Sequence, residues 1–94
     1  MTISMDSEVT ISPTIVATEL DGSVTIFHPT TDRYYTLEGA GAAIWQLLEQ
    51  TASLEQVRDA ILERYETTAE TCERDILALV AQCHEAGLLD VRAR

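Results

Sequence analysis

Three short, mostly apolar stretches separated by polar turn residues occur in the first part of the chain. These stretches are 15–20, 24–28 and 33–37, and each is rich in β-branched or aromatic residues. An Asp-Gly pair separates the first two stretches, and it favours a tight hairpin turn because both residues tolerate positive φ. A turn that contains proline, over 29–32, precedes the third stretch. The pattern predicts a three-stranded antiparallel sheet.

The third predicted strand has two different faces. Successive side chains of a strand point to opposite sides, so Tyr35 and Leu37 share one face and Tyr34 and Thr36 share the other. One pair is expected to enter the core while the other pair stays accessible. No later strand is predicted to pair with this one, so one of its edges should remain open.

After the third strand the spacing of apolar residues changes to that of amphipathic helices. The first helix is predicted to begin near Gly39, and its apolar face contains Ala40, Ile44, Leu47 and Leu48, with Trp45 beside them. The second should begin at Ser53, because Ser53 and Gln56 form an S-x-x-Q capping box, and it should run for about three turns.

Thr67 and Glu70 repeat the capping signature and predict the start of a third helix. This helix should run to Ala86, where Gly87 supplies the left-handed residue that commonly ends a helix. At 100° per residue, its core-facing arc contains Cys72, Ile76, Leu79, Val80 and Cys83. Two flanks border this arc, namely Asp75 with Gln82 and Leu77 with His84. The apolar face is therefore wider than a single core contact requires.

These elements predict one domain of the α+β class. Three strands followed by three helices is the order of a winged helix-turn-helix whose sheet comes first. Residues 1–8 show no apolar period and are predicted to form a flexible N-terminal arm, which leaves 9–94 as the folded domain. A chain of 94 residues has room for one modest core.

The net charge limits the kinds of molecule that the protein is expected to bind. Sixteen acidic and six basic residues give a formal net charge of -10 at pH 7. Such a charge repels phosphate backbones and anionic membranes, so we expect neither nucleic acid nor a membrane surface as partner and favour a basic or neutral polypeptide. The chain has no apolar run of the roughly 18 residues that span a bilayer and no basic signal-peptide start, which predicts a cytoplasmic protein.

The sequence contains no set of residues that would form a catalytic or metal site. His28 lies at a predicted strand end, and His84 follows Cys83 on a helix, where adjacent side chains point about 100° apart and cannot converge on one metal. Cys72 and Cys83 lie about 16 Å apart along one helix, which excludes a disulfide between them. We therefore expect a protein that is not an enzyme and holds no metal or cofactor.

Four blocks of residues, in their order and spacing, resemble the family of PqqD, the chaperone of pyrroloquinoline quinone biosynthesis. They are Tyr35-Thr36-Leu37-Glu38, Ala40 followed by Ile44-Trp45-Gln46-Leu47, Asp75-Ile76-Leu77-Ala78-Leu79-Val80, and Gly87-Leu88-Leu89. Members of this family are called leader-peptide recognition elements and include the stand-alone leader binders of lasso-peptide clusters. The resemblance covers roughly residues 14–91. Glu38 departs from the family's asparagine, which is the better N-cap for the first helix.

The resemblance implies that an extended leader peptide adds as a further strand beside the third strand and rests on the third helix. The implied peptide-binding residues are Arg33, Tyr34, Tyr35, Thr36, Leu37, Asp75, Ile76, Leu79, Val80 and Cys83. It also implies delivery of a precursor to a separate leader protease and a cyclase. A lasso-peptide cluster is the first hypothesis, because the chain is free-standing and short, and a chaperone for a redox-cofactor precursor is the second.

Two alternatives come from other classes of protein. A winged-helix transcriptional regulator would need phosphate-binding residues around its recognition helix, and the third helix carries only Arg74 among acidic neighbours. An interaction subunit of an enzyme complex remains the other alternative. Binding of short peptides encoded beside the gene distinguishes both from a leader binder.

Overall fold

The computed structural model describes residues 3–92, which form five strands and three helices. The elements in chain order are β1 (Glu8–Ile11), β2 (Val16–Leu20), β3 (Ser23–His28), β4 (Arg33–Leu37), α1 (Ala40–Leu48), α2 (Leu54–Arg64), α3 (Ala69–Glu85) and β5 (Leu89–Arg92).

Strands β2, β3 and β4 form an antiparallel sheet in that order, which confirms the predicted sheet. The β2–β3 turn has positive φ at Asp21 and Gly22, as the hairpin signal requires. On the inner face of β3, Val24 and Ile26 are completely buried. The sheet therefore covers the core with one face and exposes the other.

The strands β1 and β5 were not predicted from the sequence. They pair antiparallel with Val9 opposite Val91 and Ile11 opposite Leu89, so the apolar side chains of both strands lie on the core face. Each strand has only four residues, and the pairing joins segments about 80 positions apart. A strand of four residues whose partner is distant in sequence has no local signal of the kind that a tight hairpin turn provides.

The predicted flexible arm over residues 1–8 extends into β1, which begins at Glu8. Residues 1 and 2 lie outside the described part of the chain. Just before β1, Ser7 is buried, and its hydroxyl accepts a hydrogen bond from the Ser4 backbone N–H at 3.1 Å. The flexibility of this segment in solution stays a prediction.

The three helices agree with the expected order, and one of the predicted caps is displaced. Ser53 caps α2 by accepting the Gln56 backbone N–H, as predicted. The cap of α3 is Thr68, which accepts from the Thr71 N–H, so the prediction of Thr67 was wrong by one residue. Both threonines are acceptable caps, and only the backbone geometry at Thr68 places its hydroxyl within reach.

The helices enclose a single core. Trp45 of α1, Val57 of α2 and Ile76 of α3 are each completely buried. At the end of α3, Gly87 has φ +78 and lies against His28 of the sheet, where an added Cβ would come within 3.1 Å of the imidazole Nε2. Glycine therefore allows both the left-handed turn and the close contact between helix end and sheet.

Gly39 joins β4 to α1, and its backbone conformation should make this junction sensitive to substitution. Its φ of 57° and ψ of -130° lie in a region that side-chain-bearing residues avoid, although the space around it is empty. Gly39→Ala should therefore lower the free energy of unfolding by about 1–3 kcal/mol through backbone strain alone. Chemical denaturation measures this change.

Gly41 provides the matched control two residues later. It lies inside α1, where an added Cβ would meet Leu37 at an ordinary contact distance of 4.0 Å. Gly41→Ala should therefore raise the free energy of unfolding by roughly 0.5–1 kcal/mol through helix propensity. Equal destabilisation by both substitutions would contradict the role assigned to Gly39.

Candidate functional site

The candidate site begins at the outer edge of β4. This strand pairs with β3 on one side only, and β5 pairs with β1 instead of approaching it. Tyr34 is 69% exposed and packs against Phe27 with ring centroids 4.7 Å apart. Tyr35 and Leu37 point the other way and are half-buried against the core. The predicted difference between the two faces of the strand is confirmed.

The last turns of α3 face this edge. Leu79, Gln82, Cys83 and Ala86 follow the i, i+3, i+4, i+7 spacing that places residues on one side of a helix. Val80 lies next to Leu79 in sequence, but it is turned fully into the core. The helix thus uses one stripe to fill the core and the neighbouring stripe to form a wall.

A groove of about 320 Å³ lies between β4 and α3. Its lining residues come from the strand, the helix and the segment that follows the helix, and none of them is charged: Tyr35, Thr36, Leu37, Leu79, Gln82, Cys83, Ala86 and Leu88. An uncharged groove beside an unpaired strand edge is the arrangement that accepts an extended peptide, since the edge supplies main-chain hydrogen bonds and the groove accepts alternate side chains.

The structure brings half of the predicted site residues together in this groove, namely Tyr35, Thr36, Leu37, Leu79 and Cys83. Arg33 and Tyr34 lie on the same open strand with exposed side chains, outside the groove lining. Ile76 and Val80 are completely buried and lie beneath the wall. In this conformation these two offer no surface to a ligand.

Asp75 lies apart from the groove between β4 and α3. It borders a second cavity, of about 220 Å³, formed where α3 meets α1 and the end of α2. On α3, Asp75 precedes Leu79 by four residues, so the two side chains share one side of the helix. The two cavities are therefore neighbours along the same wall.

Three groove residues were absent from the predicted set, and these are Gln82, Ala86 and Leu88. The first two could have been found from helical spacing, because they follow Leu79 at i+3 and i+7. Leu88 could not be found in this way, because its position depends on how the chain turns after Gly87. The flank formed by Leu77 and His84 does not line the groove.

Burial changes the chemistry of the thiol in the groove. Cys83 is 4% exposed, and desolvation raises its pKa to about 11. Burial also raises the pKa of Cys72, with a further contribution from the nearby Asp75 carboxylate. Both thiols are free and remain protonated near neutral pH, which makes them apolar lining groups and poor nucleophiles.

Residues 3–92 hold neither a metal-binding cluster nor a helix able to span a membrane. In this part of the chain, His, Cys, Asp and Glu side chains form no group of three that could hold a metal ion. None of its helices is both long and apolar enough to cross a bilayer.

Comparison with known proteins identifies a family and two similar structures. The family described as Coenzyme PQQ synthesis protein D (PqqD) matches residues 24–89. The solved structure "TbiB1 in Complex with the TbiA(beta) Leader Peptide" superposes with a TM-score of 0.83 and 32% identity, covering 86% of this chain and 94% of that one. "Lasso peptide synthetase B1 complexed with the leader peptide" gives a TM-score of 0.80 and 28% identity, with coverage of 88% and 98%. Comparison with curated protein sequences gives no significant match.

The raised pKa of Cys83 predicts slow alkylation in the native protein. With a pKa of about 11, about one thiol in a thousand is ionised at pH 8, and the buried sulfur is also poorly accessible. Iodoacetamide at pH 8 should therefore leave Cys83 largely unmodified, as followed by mass spectrometry of proteolytic fragments. The same reaction in denaturant is the control and should modify Cys83 fully. Rapid native alkylation would contradict the buried, protonated state.

Proposed function

The chain belongs to the PqqD family, and on this basis we propose that it binds the leader segment of a ribosomally made precursor peptide, of the lasso-peptide type. The observation that carries the proposal is the open edge of β4 beside the uncharged groove of α3. The solved structures of TbiB1 and of a lasso peptide synthetase B1, both described as complexes with a leader peptide, support the same type of ligand.

The proposed binding mode is strand addition. The main chain of Arg33–Leu37 would pair with the leader, while leader side chains that point inward would enter the groove against Leu79 and Cys83. Both β2 and β4 are edges of the sheet, and β4 is the edge that borders the groove. Arg33 makes no ion pair with another residue of 3–92, so its guanidinium is available to an acidic group of the leader.

The residues of the proposed site have different roles. Tyr35, Thr36, Leu37, Leu79 and Cys83 would contact the leader directly, together with Gln82 of the same wall. Arg33 and Tyr34 would act from the exposed part of the strand. Ile76 and Val80 would hold the wall in place from within the core, and Asp75 would act at the second cavity.

The proposed role is that of a tether which performs no bond chemistry. We infer that it presents the bound precursor to a separate leader protease and to a cyclase, in the cytoplasm where such precursors are made. Nucleic acid has no part in this proposal, because α3 carries a single arginine, Arg74, and the net charge is -10. A chaperone for a redox-cofactor precursor is the second candidate, favoured by the description of the matching family.

The first test of the proposal locates the bound peptide by NMR. Titration of labelled protein with precursor peptides encoded beside the gene, and with the TbiA(beta) leader as a reference, should shift the backbone amides of Arg33–Leu37 and of 79–86 together. These amides lie on the two sides of the groove. Shifts confined to the β2–β3 hairpin and α2, with β4 silent, would overturn strand addition even if the peptide bound.

The second test places a charge on the groove wall. Leu79→Glu should weaken leader binding by about 1–3 kcal/mol, roughly 5- to 150-fold in Kd, because an apolar contact is lost and a carboxylate is desolvated. Calorimetric titration measures the change.

Leu77→Glu is the matched control, because Leu77 is also a half-buried leucine of α3 but lies outside the groove. Circular dichroism establishes that both variants fold. Equal loss of binding in the two variants would count against the groove as the site.

A further inference from the structure

The second cavity has an apolar floor and an acidic rim. Ile44, Ile61 and Cys72, which form the floor, are each 3–4% exposed. The Tyr65 side chain lines one side and is 44% exposed. Glu66 and Asp75 border the opening with exposed side chains. An apolar floor, an accessible phenol ring and two carboxylates thus line one cavity of about 220 Å³.

This cavity continues the groove between β4 and α3. One wall passes from Leu37 in the groove to Ala40 in the cavity, three residues later in the chain. The opposite wall passes from Leu79 to Asp75, one turn earlier on α3. A peptide that lies along β4 and runs past Leu37 therefore meets the cavity next.

We propose that the second cavity is a subsite for a lysine or arginine side chain of the same peptide. This inference rests on the proposed leader binding and specifies the chemistry of the ligand. The aliphatic stem of the basic residue lies on the floor formed by Ile44 and Ile61, and its charged end reaches the carboxylates of Glu66 and Asp75. The Tyr65 ring stands beside the path of the cation.

Three physical effects favour a basic side chain here. Lysine and arginine bury their methylene stems on apolar surface while the charged end stays at the water-exposed rim. An accessible tyrosine ring attracts a cation at its face. Neither Glu66 nor Asp75 forms an ion pair with another residue of 3–92, since the ion pairs in that part of the chain join Arg58 to Asp59 and to Glu73. Neither carboxylate is therefore engaged in an ion pair within the described part of the chain.

One effect opposes a cation, and its magnitude is smaller. The α1 helix starts beside the cavity without a side-chain cap, so its N-terminal N–H groups carry partial positive charge. The α3 helix also begins beside the cavity, near Thr67, but the C-terminal end of α2 at Tyr65 contributes an opposite partial charge. Each helix end is equivalent to roughly half a unit charge, whereas the rim carries two full negative charges. The cavity therefore remains a site for a cation.

The geometry also fixes the spacing of the peptide residues. The distance along α3 from Asp75 to Gln82 is about 10 Å, and that from Cys72 to Cys83 is about 16 Å. At about 3.3 Å per residue, an extended peptide covers these distances in roughly three to five residues. The basic residue should thus lie three to five positions from the residue anchored in the groove.

Selection from a displayed library of random 16-residue peptides, with the full-length protein as bait, tests the inference. The enriched peptides should share an apolar anchor and a lysine or arginine three to five positions from it. In the best peptide, replacement of this basic residue by glutamine should weaken binding roughly three- to thirtyfold, as for two solvent-accessible ion pairs.

Two variants of the protein are measured with the same two peptides. The double variant E66Q/D75N should remove the preference for the basic residue, so that the peptide and its glutamine form bind alike. The control E63Q/D90N loses the same charge at exposed positions outside both cavities and should keep the preference.

The outcomes separate this inference from the proposed function. If no peptide is enriched, leader binding itself fails. If peptides with an apolar anchor are enriched but no basic position appears, or if E66Q/D75N keeps the preference, leader binding stands and the basic subsite is overturned. The glutamine peptide is measured on the unaltered protein, so this part of the test does not depend on the folding of a variant.

Discussion

The pairing of β5 with β1 decides which strand edge this small fold leaves open. Backbone N–H and C=O groups need partners, so a strand that follows α3 would pair with whichever edge it reached. Gly87 turns the chain in a left-handed conformation, and the Leu88 carbonyl then accepts a hydrogen bond from Ser12 N–H, next to β1. The last strand is thereby paired with β1. The edge of β4 stays unpaired, and the groove beside it stays open.

Two adjacent stripes of residues on helix α3 have different roles, since one packs into the core and the other lines the groove. Ile76 and Val80 are fully buried, and each such side chain contributes about 1.5–3 kcal/mol relative to exposure. Leu79 and Gln82 lie on the next stripe and are left partly or fully accessible. A helix whose buried stripe is anchored in this way holds its accessible stripe in a fixed position. The groove is thus formed before any peptide arrives, which reduces the ordering that binding must impose.

Much of this architecture could be predicted from local patterns, and the exceptions have physical causes. The strands β2 to β4 and the caps at Ser53 and Gly87 follow from β-branched and aromatic content, turn chemistry and helix-end signals within a few residues. The β1–β5 pairing could not be found in this way, because its two four-residue strands lie at opposite ends of the chain.

The candidate site was predicted less completely than the fold. The resemblance to the PqqD family pointed to β4 and α3, the two elements between which the groove lies. Helical spacing grouped Leu79 with Cys83, and both line the groove. It did not separate Val80 from Leu79, because the boundary between core and groove depends on how the sheet packs on the helix. For the same reason the sequence could not assign Asp75 to a separate cavity.

The proposed division between backbone pairing and side-chain contacts would suit a tether that must also release its ligand. In the proposed binding mode, main-chain hydrogen bonds along β4 depend little on sequence, so most of a leader could vary without loss of binding. An extended peptide is disordered when free, and its ordering costs about 2–5 kcal/mol of the gross interaction energy. Affinity then depends on the few side chains that enter the cavities. A preformed site with few anchors would select its peptide at those positions and still exchange it, as the proposed transfer of a precursor to a separate enzyme requires.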